Sequence, residues 1–169
     1  GGGTALNGAG FASADGVSTL QGISLNSTII NAGGGNIAMK GKTAVTNYQA
    51  NLSTVDGLYM TGGAITTTGS GTIDLSGYNQ NTDTQSKGIE LASGTITGGS
   101  TGAVTIVGDS RAVGVVTPST SSYIRGALIN NTITSTGGNL NITGYGGSGA
   151  QYDYGVDIGG SVITAGSGA

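Results

Sequence analysis

Gly57-Leu58-Tyr59-Met60-Thr61-Gly62-Gly63-Ala64-Ile65-Thr66-Thr67-Thr68-Gly69-Ser70-Gly71-Thr72-Ile73-Asp74-Leu75-Ser76-Gly77 is the stretch that decides the fold. It opens and closes on glycine and holds short apolar clusters separated by Gly, Ser and Thr. The same block runs from Gly22 to Gly41, from Gly88 to Gly108 and from Gly126 to Gly144, and a further copy begins at Gly155 and is cut off at Ala169. The opening glycines at 22, 57, 88, 126 and 155 are 35, 31, 38 and 29 residues apart, so the unit carries a linker of variable length. Thr4-Ala5-Leu6-Asn7-Gly8 reads as the tail of one more copy, a partial repeat over residues 1–8.

Each block carries three apolar clusters, in the first full copy Ile23/Leu25, then Ile29, then Ile37/Met39. Alternation with period 2 marks strands, and the intervening positions are expected to face solvent. They are Ser24, Tyr59, Glu90, Leu128 and Asp157 in the first strand, and Ala38, Asp74, Thr105 and Asn141 in the last. One side tolerates change and the other stays aliphatic. Helices are disfavoured, because glycine is spread throughout and β-branched residues fill the apolar and flanking positions.

Three strands per block, aliphatic inside and variable outside, describe one coil of a parallel β-helix, an all-β fold in which about five coils stack into a single domain spanning 1–169. Equivalent strands pair one coil away, so like residues form ladders: Ile65, Ile96 and Ile133 in one, Leu75, Ile106 and Ile142 in another. A β-sandwich is the competing architecture, but its strands have no need of a repeated three-cluster block. The linkers Lys42 to Asp56, Tyr78 to Lys87, Asp109 to Arg125 and Tyr145 to Tyr154 hold every Lys and Arg except Lys40, and are expected to leave the coil as loops along one corner.

Composition narrows the function. The 169 residues include 36 glycines, no His and no Cys, which removes zinc sites, cysteine nucleophiles and Ser-His-Asp triads. Five basic residues against eight acidic ones leave a net charge of -3, unsuited to a nucleic-acid backbone. No apolar run reaches the ~18 residues of a bilayer-spanning helix, so no membrane insertion is expected. The opening Gly1-Gly2-Gly3 lacks Met and a leader pattern, and reads as a mature or excised segment. A cysteine-free chain fits a bacterial surface protein that crosses membranes unfolded.

The pattern G-[ILV]-x-[LIM] followed by I-T-x-x-G-x-G-x-[IVL]-x-[LI]-x-G, seen in Gly57 to Gly77 and Gly126 to Gly144, resembles the central repeats of filamentous haemagglutinin-type bacterial surface adhesins. The resemblance covers nearly the whole chain. It implies a right-handed β-helix, two-partner-type secretion to the cell surface, and service as an adhesin stalk or extracellular fibre, possessing no cofactor.

Of the acidic residues Asp15, Asp56, Asp74, Asp83, Glu90, Asp109, Asp153 and Asp157, Asp74 and Glu90 read as outward strand positions on different faces and the others chiefly as solvated loop acids, with no catalytic residue among them. Asp109-Ser110-Arg111 reads as a turn with a local ion pair. Asp153 and Asp157, with Tyr152 and Tyr154 beside them, form the one candidate carbohydrate site, since glycoside hydrolysis needs paired carboxylates about 5–10 Å apart and aromatic rings serve as a sugar platform. Calcium-binding β-rolls place Asp after their Gly-rich turns, whereas Asn36, Thr72 and Asn139 stand there, so no metal is expected. The glycines and asparagines of these turns suit positive φ, and Asn36 and Asn139 are candidates to turn inward and cap corner backbone. Threonine runs suggest an ice-binding face, which requires Thr at one outward position in every coil; the column Asn31, Thr66, Thr97, Thr134, Thr164 is mixed. The sequons at Asn26, Asn51, Asn130 and Asn141 are expected by chance, and only the one at Asn51 lies in a linker.

The two ends complete one repeat when placed together. Thr4 and Leu6 at one end and Ile158 and Ile163 at the other are therefore the residues expected to meet in head-to-tail stacking, whether on another copy or on adjoining repeats of a longer chain. The resulting expectation is a structural, non-enzymatic unit at the bacterial cell surface, with itself and host glycans as partners.

Overall fold

A computed structural model describes residues 12–14, 20–43, 55–80, 85–111, 123–147, 152–160 and 162–164. All elements among them are strands, arranged in three parallel sheets. The first sheet holds the opening strand of each coil: β2 (Leu20–Asn26), β5 (Val55–Thr61), β8 (Ser86–Leu91), β11 (Tyr123–Ile129) and β14 (Tyr152–Ile158). The second holds β3 (Ile29–Asn31), β6 (Ala64–Thr66), β9 (Thr95–Gly98), β12 (Thr132–Ser135) and β15 (Val162–Thr164). The third holds β1 (Ala12–Ala14), β4 (Ile37–Thr43), β7 (Ile73–Tyr78), β10 (Val104–Asp109) and β13 (Leu140–Tyr145). Each strand pairs with its equivalent in the neighbouring coil, so the chain forms a β-solenoid of four complete coils flanked by strands of two more.

Register builds the core. Ile30, Ile65, Ile96 and Ile133 align in one column, and Met39, Leu75, Ile106 and Ile142 in another, with Leu25, Met60, Leu91, Ile129 and Ile158 in a third. The central members of these columns are fully buried and form one continuous aliphatic cluster. The variable positions Ala38, Asp74, Thr105 and Asn141 share one register, as do Ser24, Tyr59, Glu90, Leu128 and Asp157.

One core assignment is corrected. Ile30, not Ile29, stands opposite Ile65, and Ile29 is 78% exposed. The adjacent isoleucines satisfy either phase of the alternation. The phase is set instead by the corner before them, where Ser27 takes φ 49° and the Ser27 N–H donates to the Thr61 carbonyl.

The boundary glycines have a structural cause. A Cβ on Gly88 would lie 2.7 Å from the Gly126 oxygen and 2.7 Å from the Gly108 carbonyl carbon, and one on Gly77 would lie 2.6 Å from the Gly88 carbonyl carbon. The opening glycines Gly22, Gly57, Gly88, Gly126 and the closing glycines Gly41, Gly77, Gly108, Gly144 thus line a waist where the first and third sheets touch backbone to backbone. In the first sheet the pairing runs from Asp56↔Lys87 to Leu58↔Ile89 across this point, so Gly57 and Gly88 face each other with the register unchanged, and Val55, Gly57, Leu58 and Met60 are all buried.

The linker ends are also corrected. Both sheets continue past the waist, so Lys42–Thr43, Tyr78, Asp109 and Tyr145 on one side and Val55–Asp56, Ser86–Lys87 and Tyr123–Arg125 on the other are strand rather than loop. Between them lies a second, small buried compartment. The Thr43 hydroxyl donates to Asn79 Oδ1 at 3.0 Å, Asn79 Nδ2 donates to the carbonyls of Val55 and Lys87, and the Ser110 hydroxyl donates to the Arg125 carbonyl. Val55 and Ile124, both buried, are the apolar residues of these strand ends and stand apart from the main aliphatic cluster. Polar composition made these residues look solvated; side chains that satisfy one another and the backbone can be buried at little cost.

Candidate functional site

The residues just before the opening glycines share one register: Gln21, Asp56, Lys87, Arg125 and Tyr154. In the middle of this column three charged side chains converge. Lys87 Nζ lies 3.7 Å from Asp56 Oδ1 and 2.8 Å from Glu90 Oε2. The Asp56, Lys87 and Glu90 side chains are 0%, 7% and 13% exposed. This corrects the reading of Asp56 as a solvated loop acid. Asn79, bonded to the Val55 and Lys87 carbonyls, holds the backbone on both sides of the pair.

Neither Asp56 oxygen has a hydrogen-bond partner among the described residues, and the cation at 3.7 Å is beyond hydrogen-bond range. Burial pushes the Asp56 carboxyl up from 3.8 to about 8; the Lys87 ammonium pulls it down and the Glu90 charge adds to the rise. In the next coils Arg125 turns away from Lys87, its Nε 2.8 Å from Asp157 Oδ2 and its guanidinium 5.0 Å from the Tyr123 ring.

A pH dependence follows. In a Lys87→Met chain Asp56 loses the cation that lowers its pKa and keeps the burial that raises it. The folded state then holds a proton that the unfolded chain releases above 3.8, so this carboxyl makes stability fall as pH rises. The urea midpoint of Lys87→Met is expected to be lower at about pH 8 than at about pH 5, and Asp56→Asn in the same background to flatten that difference.

The candidate glycan residues fall in the terminal described coil. Tyr152 stacks on Tyr123 with centroids 4.8 Å apart and planes 9° from parallel, and Tyr152, Tyr154 and Tyr145 are exposed. Asp153 pairs in register with Ile124 and Asp157 with Leu128, on either side of Gly155, and Asp157 is engaged by Arg125. Tyrosines therefore present a surface, while the two acids occupy different ladders. Asp109 and Arg111 form the local pair expected, at 2.7 Å; partial burial would raise the Asp109 carboxyl, but hydrogen bonds and charge from Arg111 hold it below its usual value.

Of the stacking residues, Thr4 and Leu6 lie outside the described residues. Ile158 continues an interior column and is 50% exposed. Val162 stands opposite Ile133 and Ile163 opposite Thr134, so Ile163, not Thr164, is in register with Asn31, Thr66, Thr97 and Thr134. The threonine face is limited to Thr66, Thr95, Thr97, Thr132 and Thr134, bordered by Ala64, Ile29 and Asn31, and does not repeat in every coil. At the turns, positive φ falls on Gly33 and Gly69 and not on Asn36 or Asn139. Asn36 is exposed rather than inward; its Oδ1 accepts from the Thr72 N–H one coil away at 3.0 Å, so it does cap corner backbone.

Asp56, Lys87 and Glu90 were not singled out by sequence. The signal was present: aligning copies on the opening glycine puts Asp56, Lys87 and Arg125 in one column, with Glu90 two residues beyond Gly88. Comparison with protein-family models, curated proteins and solved structures gives no match.

Proposed function

We propose that this chain is a structural and adhesive segment of an extracellular bacterial fibre or adhesin stalk, extended along its axis by coil-on-coil stacking. The observation that supports this reading is axial continuity. All three sheets add one parallel strand per coil, and the interior column Leu25, Met60, Leu91, Ile129 runs on to a half-exposed Ile158. A strand edge with an uncovered aliphatic ladder accepts a further coil, from the same chain or another copy. Stiffness comes from the ladders and the dry columns, and surface variety from the linkers. The repeat pattern's resemblance to haemagglutinin-type adhesins points the same way.

Electron cryomicroscopy of the concentrated chain is the test. Rods with an axial repeat of about 4.8 Å, shortened or lost in Ile158→Asp, are the expected result; monomers at every concentration would remove self-stacking. The exposed tyrosines 145, 152 and 154 favour a second reading, a carbohydrate-binding surface. Glycan binding by the same preparation that disappears in Tyr152→Ala and Tyr154→Ala would favour it.

A further inference from the structure

We propose that Lys87 and Asp56 become joined by an intramolecular isopeptide bond, formed within the folded chain with Glu90 as the proton carrier, that ties the second coil to the third. The two residues are direct partners across parallel strands, and Lys87 Nζ lies 3.7 Å from Asp56 Oδ1, so a small side-chain shift brings the amine to the ~3–3.5 Å of a near-attack pair. Both are shielded from water, so the pair is held at high effective concentration in a medium that disfavours charge. Moving one proton from the Lys87 ammonium to the Asp56 carboxylate converts two buried ions into a neutral amine and a neutral acid. The first is a nucleophile and the second an electrophile with a hydroxyl to lose.

The bookkeeping of atoms closes without another reagent. The Lys87 Nζ lone pair attacks Asp56 Cγ, forming the C–N bond. Nζ gives a proton to the Glu90 carboxylate, 2.8 Å from it. Glu90 passes that proton to the departing hydroxyl, the C–O bond breaks, one water leaves, and Glu90 returns to its carboxylate form. The preference of the Asp56 carboxyl for its protonated form supports the first step. Asn79, fixed to the Val55 and Lys87 carbonyls, limits relative motion of the two strands. Arg125, the remaining charged neighbour in register, is occupied by Asp157.

Intact-mass spectrometry of the folded full chain tests the proposal. The expected mass is about 18 Da, one water, below that of the sequence, and proteolysis is expected to release a branched peptide joining residues 56 and 87. Lys87→Arg, which keeps the charge, and Glu90→Gln are both expected to show their full sequence masses while retaining the β-sheet circular dichroism of the parent. A parent chain that stays at full mass through prolonged incubation in the folded state overturns the proposal. So does a deficit that persists in Lys87→Arg, because a cyclic imide at Asp56-Gly57 loses the same water without Lys87. A bond that forms equally fast in Glu90→Gln overturns the role given to Glu90.

Discussion

A chain carrying Gly88→Val is expected not to fold. The Cβ alone meets the Gly126 oxygen and the Gly108 carbonyl carbon at 2.7 Å and the Asp109 nitrogen closer still. All three are backbone atoms, so no rotamer change relieves the contact. Their strands cannot withdraw either, since β8 is held between β5 and β11, and β10 between β7 and β13. Overpacking a core in which side chains can shift costs about 1–3 kcal/mol. Here the waist itself has to open, and the two remaining Val carbons add to the conflict, against a total stability of about 5–15 kcal/mol for an ordinary domain. Circular dichroism is expected to show loss of the sheet signal. Gly34→Ala, where an added Cβ has no neighbour within 4 Å, is expected to keep the parental urea midpoint. A parental midpoint for Gly88→Val would mean that the two sheets do not meet at the glycines.

Leu75→Ala is expected to remove about 2–5 kcal/mol. Leu75 is fully buried, with Met39 and Ile106 as its ladder neighbours, so truncation leaves a void between coils that have no other route of contact along that column. In a solenoid each coil is stabilised by the coils beside it, so a defect in the second coil weakens its coupling to both neighbours. The urea midpoint is expected to fall. Ile29→Ala, on the outward register of β3, is expected to stay within about 0.5 kcal/mol of the parent. If Ile29→Ala instead costs as much as Leu75→Ala, the phase of β3 is wrong.

That pair of residues also marks how far the sequence could be read. The block from Gly57 to Gly77 contains the strands, their faces and their ladders, because aliphatic residues recur from copy to copy where the interior demands them, while the outward registers are mixed. The doublet Ile29-Ile30 lacks that information; both phases of alternation are apolar, and the choice falls to the backbone of the corner at Ser27. The linker ends failed for a different reason. Lys42, Asp56, Asn79 and Lys87 have the composition of loops, yet each is buried. Asp56, Asn79 and Lys87 are buried by pairing across the small compartment and Lys42 lies over the Tyr78 ring, properties of two sheets meeting at a waist and not of any local pattern. The charged triad is the extreme case: its column is visible once the copies are aligned on glycine, but its dryness is not.

The waist also divides the chain by what it permits. Opening and closing glycines of a block lie 19, 20, 20 and 18 residues apart, whereas the intervals from closing to next opening glycine are 16, 11, 18 and 11. Length drifts on one side of the glycine contact and hardly at all on the other. Insertions arising beyond the waist are absorbed there without disturbing the phase of the aliphatic columns. The molecule is thus a scaffold with a built-in tolerance for grafting: its invariant lobe keeps time along the axis, and its small lobe is free to carry new segments from coil to coil.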